Sequence, residues 1–147
     1  MTALLPRIID NTFRGRRIAL WLFGAILLMK TGIALGVIVN GRQAAQEADG
    51  IPLDSFGATG AAAFLTIFAL WGLAQLVFSA LGILALARYR AMVPLLFALF
   101  LFEHAARRAL LLAKPIATVT ASGFYINIAL ILVMALGLAL ALYQKDS

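Results

Sequence analysis

Glu103, His104, Arg107 and Arg108 stand inside an otherwise hydrophobic run, FEHAARRALLLAK, from Phe102 to Lys114. On a helix turning about 100° per residue, the four side chains share one arc of roughly 140°. Glu103 and Arg107 are one turn apart, as are His104 and Arg108. A carboxylate, an imidazole and two guanidiniums on one stripe suit ion pairing, proton exchange, or the grip of an anion, for which guanidinium supplies forked donors. An ionisable group at membrane depth is costly unless it is paired or faces a wet cavity, so this stripe must meet other protein or water.

Its partners are readable on the other apolar segments. Lys30, Gln75 and Glu103 each lie about twelve residues, or roughly 18 Å, from the arginine-flanked ends of their segments, which sets all three at one level. Lys30 and Glu103 are the expected ion pair, with Gln75 beside them, because either charge left alone in hydrocarbon would change protonation state. Arg107, Arg108, His104, Asn127 and Tyr125 lie outward of that pair and outline a polar, net-positive vestibule. A structural role competes with this reading. Interhelical polar contacts in membranes commonly serve adhesion, at about 0.6 kcal/mol each, and Lys30–Glu103 would serve as a clamp on helix register. Arg108 also suits snorkelling towards headgroups, better than Arg107, which shares the Glu103 face.

The composition says what must position these groups. Of 147 residues, 64% are hydrophobic and only 12% charged, and the mean hydropathy is +1.02, the profile of an integral membrane protein. The net charge of +6 does not point to nucleic acid, since the basic residues flank apolar segments as the positive-inside rule requires. Without cysteine there is no thiolate chemistry, disulfide or iron–sulfur site. His104 is the single histidine, so neither a bis-His haem nor a His-rich metal site assembles within one chain. No hydrolase, zinc-protease, phosphate-loop or dinucleotide motif is present. The expectation is therefore no catalytic residue, no metal and no cofactor.

Taken in order, residues 1–17 place Leu4, Leu5, Ile8, Ile9 and Phe13 among Arg7, Arg14, Arg16 and Arg17, a pattern suited to a short interfacial amphipathic helix on an anionic membrane surface. Cleavage as a signal peptide is not expected, because the apolar stretch that follows is too long and lacks a small-residue exit. Four spans are expected, over about 18–40, 58–87, 91–112 and 120–143. The polar segment 41–57, net acidic, is assigned to the outer side, and both termini and the Arg88-Tyr89-Arg90 turn to the inner side. Phe64, Phe68, Trp71, Gln75, Ser79 and Gly82 share one face of the second span, which is expected to look inward.

The expectation is thus an all-α, four-helix transmembrane bundle, N-in and C-in, forming a single domain over 1–147. The layout resembles, in span count, basic inner turn and an acid midway along the third span, several families of small four-span bacterial membrane proteins, the DoxX-like ones among them. The functional expectation is a non-enzymatic accessory or binding protein of a bacterial-type plasma (inner) membrane. Its vestibule would hold an anionic lipid headgroup or small carboxylate, and its partners would be the lipid bilayer and a larger membrane complex or a second copy, not nucleic acid. The alternative is a proton- or ion-coupled small transporter or channel, dimeric, with Glu103 or His104 titrating.

Overall fold

The computed structural model describes residues 4–114 and 123–143. The expected start of the last span at Thr120 and the tail from Gln144 to Ser147 lie outside the described residues. Five α-helices are joined in sequence: α1 (Arg17–Val39), a short α2 (Gly41–Gln43), α3 (Gly57–Arg88), α4 (Val93–Ala113) and α5 (Gly123–Leu142). Leucine- and alanine-rich runs without proline beyond the first turn favour each long helix. Pro94 sits in the first turn of α4, where its missing N–H has no helical acceptor to lose.

Among the described residues, three helices, not four, are long and apolar enough to cross a membrane. They cover Arg17–Val39, Leu53–Arg88 and Tyr125–Leu142. The expected third span, α4, has the length, with 21 residues reaching about 31 Å. It carries Glu103, Arg107 and Arg108 within one stretch, and these charges take it out of the apolar set. This corrects the four-helix transmembrane bundle and, with it, the N-in/C-in assignment made from the arginine distribution, since two ends on one side require an even number of crossings. The coarser result stands: an all-helical chain with helices fit to span a membrane.

Among the described residues, the amphipathic helix expected before the first span is not formed. Residues 4–16 form turns and bends, and α1 begins only at Arg17. The Asp10 side chain accepts from the Thr12 backbone N–H at 3.0 Å and from the Thr12 hydroxyl, a local turn that competes with helix, with Pro6 and Gly15 nearby as further breakers. The segment instead ties the chain ends together. Ala91 N–H donates to the Asp10 carbonyl at 3.3 Å, Arg16 N–H donates to the Leu140 carbonyl at 3.1 Å, and Phe13 packs on the core.

α1 packs chiefly along α3 and also on α5, while α4 packs on α5. The main core fills the arginine-rich end, with Phe23 and Ile26 of α1, Phe97 and Phe100 of α4 and Met134 of α5 almost wholly buried. The Phe23 ring centre lies 4.8 Å from Phe97 and 5.7 Å from Phe100. At the opposite end, the polar segment is not an open loop. It runs through α2, a π-helical turn at Ala44–Ala48 and a 3-10 turn at Leu53–Phe56. Gly50, at φ 66°, makes the bend between them, a conformation other residues rarely adopt. Ala45, Ile51 and Leu53 bury themselves against Phe64, Leu65 and Phe68 of α3, so the segment folds back as a roof on the helices.

Candidate functional site

The Glu103 carboxylate, on the middle turns of α4, gathers donors from three helices. Lys30 Nζ of α1 lies 3.4 Å from Oε2, forming the buried ion pair that depth counting anticipates. Gln75 Nε2 of α3 donates to Oε1 at 3.0 Å, and Arg107 Nε approaches Oε1 at 3.9 Å from the next turn of α4. Lys30 and Gln75 are nearly fully buried, at 4% and 7% exposure. Removing a lysine from water to that extent is tolerable because its charge is met by a carboxylate and by the Phe100 ring, 5.2 Å from Nζ.

His104 links this pair to Arg107. Its Nδ1 is 3.2 Å from Glu103 Oε2, and its Nε2 is 3.2 Å from Arg107 Nη2. Guanidinium only donates and an ionised carboxylate only accepts, so Nε2 must accept and Nδ1 must carry the proton. The imidazole thus bridges the carboxylate and the guanidinium through its two ring nitrogens. Arg107 Nη2 also donates to Asn127 Oδ1 of α5 at 2.9 Å, and the guanidinium lies 4.9 Å from the Trp71 ring of α3. Charge-assisted bonds and a stacked aromatic fix this arginine in place.

Above the network is a cavity of about 350 Å³ bounded by α1, α3, α4, α5 and the roof segment. Lys30, Gln75, His104, Arg107 and Asn127 form its polar floor, and Phe68 and Trp71 form an aromatic wall. These two rings stack at 5.6 Å and 10°. Asp49 and Glu47 reach the same cavity from the roof, so its charged lining carries both signs where the sequence suggests a net-positive one. Burial pushes the Asp49 carboxyl above its ordinary value, and Arg107 offsets that in part. Asp10, in contrast, is lowered by the hydrogen bonds from Thr12.

Of the residues expected at the site, the structure brings together Arg107, His104 and Asn127 around the Lys30–Glu103–Gln75 group. Arg108 is half-buried and does not line the cavity, and Tyr125, 77% exposed, turns away from it. Sequence reasoning missed Asp49 and Glu47, because their place depends on the fold-back of the polar segment. The one local signal was Gly50 beside Asp49, marking a turn. Among the described residues, no three His, Asp or Glu side chains gather as a metal would require. Comparison with family models, with curated proteins and with solved structures finds no match to this chain.

Proposed function

We propose that this chain is a non-enzymatic binding or accessory protein of a bacterial-type plasma membrane, holding a small ligand by an anionic group on Arg107. The observation that carries the reading is the state of that guanidinium. His104, Asn127, Glu103 and Trp71 position it, while its two Nη1 donors make no hydrogen bond among the described residues, and the side chain lines a cavity within the usual range for small ligands. A preoriented guanidinium with donors to spare suits a carboxylate or a phosphate.

Retention is favoured over passage. Towards the arginine-rich end, Phe100 lies under the floor, and the Phe23–Phe97–Phe100 cluster closes the space beyond it. That packing weighs against a coupled transporter, which needs a polar route on both sides of the site. Native mass spectrometry of the parent, Arg107→Gln and Arg108→Gln proteins tests the proposal. Arg107→Gln is expected to lose the copurifying ligand with the fold intact, and Arg108→Gln to keep it. Equal ligand content in all three proteins would leave the charged network as a packing device.

A further inference from the structure

The cavity is bipolar, and this bears on what it holds. Arg107 and Asn127 present donors from α4 and α5, whereas the Asp49 carboxylate enters from the roof segment on the other side of the space. Asp49 is only half-exposed, and its carboxylate makes no hydrogen bond or ion pair among the described residues; Arg107 acts on it through space alone. A partly desolvated carboxylate without a hydrogen-bonded partner is an unfavourable feature that a bound cation would relieve. Glu47, whose carboxylate accepts from the Gln43 amide at 3.1 Å, lines the same cavity. The wall between the two poles is the stacked Phe68–Trp71 pair, whose Trp71 ring carries the Arg107 guanidinium.

Building on the proposed anion grip of Arg107, we infer that the cavity is a site for a zwitterion: a small molecule or headgroup with an ammonium towards Asp49, and a phosphate or carboxylate towards Arg107. A purely anionic ligand would face Asp49 as a like charge, and a purely cationic one would face Arg107 and Lys30. Only a ligand bearing both charges satisfies both poles. Two sources share this chemistry, a free amino-phosphate or amino-carboxylate solute and the phosphoethanolamine headgroup of a membrane lipid.

The test uses the purified full-length chain in detergent, titrated with O-phosphoethanolamine, glycine and inorganic phosphate, and the same chain in nanodiscs containing phosphatidylethanolamine and phosphatidylglycerol. One charge-assisted contact is worth about tenfold in affinity, so at least one zwitterion should bind the parent about tenfold tighter than phosphate. Asp49→Asn should erase that preference and keep phosphate binding, and Arg107→Gln should abolish both. Selective retention of phosphatidylethanolamine from nanodiscs would identify the lipid source, and binding of the soluble zwitterion alone the free-solute source. Phosphate binding as tight as that of every zwitterion, lost only in Arg107→Gln, would overturn the zwitterion and leave the anion site standing. No binding of any probe in either format would overturn both.

Discussion

Glu103 has several partners and Lys30 has one, and this asymmetry predicts how the pair fails. In Lys30→Met the carboxylate keeps Gln75, His104 and Arg107, whereas in Glu103→Gln the buried ammonium keeps only neutral partners, an amide oxygen and the Phe100 ring. Stranding a buried charge costs about 3–5 kcal/mol, so Glu103→Gln should be the more damaging change. The double variant should recover part of the loss, because neither charge is then left unmatched. Thermal denaturation of the four proteins in detergent measures this; equal single losses that simply add would mean the pair does not couple. Asp49 gives a second test. Its carboxyl is raised by burial, so its contribution to stability is fully present below its ordinary value of 3.8 and lost as pH rises through the raised value. Asp49→Asn should flatten the fall in melting temperature over that window, and a parent protein insensitive to pH there would refute the assignment. Depth along a helix was legible in the sequence, which is why Lys30, Gln75 and Glu103 could be grouped without knowing how each helix is turned. Rotation was less so. Arg108 follows Arg107 by about 100°, and Tyr125 stands about 200° from Asn127, so only one of each pair meets the cavity.

The long helices were readable as apolar runs, but their closeness depends on side chains that a hydropathy pattern does not rank. Gly137 of α5 faces the Phe97 ring so closely that an added methyl would overlap it, and Phe97 is itself held by Phe23. Gly137→Ala should therefore cost about 1–3 kcal/mol through overpacking. Gly32→Ala on α1 meets nothing within 4 Å and should be neutral or slightly stabilising, since alanine is the better helix former. Comparing the two melting temperatures checks the packing of α5 on α4 directly, and an unaffected Gly137→Ala protein would mean the helices stand further apart. The segment read wrongly at this scale was one ruled by local hydrogen bonding. Residues 4–16 look amphipathic in pattern, yet the Asp10–Thr12 turn offers the backbone another partner. The 41–57 segment looks like a loop, yet Ile51 and Leu53 give it enough apolar surface to dock.

At the scale of the molecule, the count of spans was the error, and its cause is physical. A charged stripe lowers the fitness of α4 for lipid while suiting it to protein, and a sequence reading that matched Glu103 to Lys30 could not also subtract α4 from the lipid-facing set. What holds the arginine-rich end together was equally out of view. The N-terminal segment bonds to Ala91, just before α4, and to Leu140, near the end of α5, and the Arg16 guanidinium lies 4.5 Å from the Tyr143 ring. Gly15 makes this possible, because a Cβ there would run into the Ala141 backbone, which has no side-chain freedom to yield. Gly15→Ala should lift the segment from α5, exposing the bonds after Arg14 and Arg16 to trypsin while leaving the distant Glu103 network formed. Limited proteolysis of parent and variant in detergent reads the first effect as faster cleavage near the N-terminus. The Lys30–Glu103 coupling, remeasured in the Gly15→Ala background, reads the second. Unchanged cleavage would show that the segment does not depend on this contact, whereas loss of the coupling would show that the two ends of the molecule are mechanically linked.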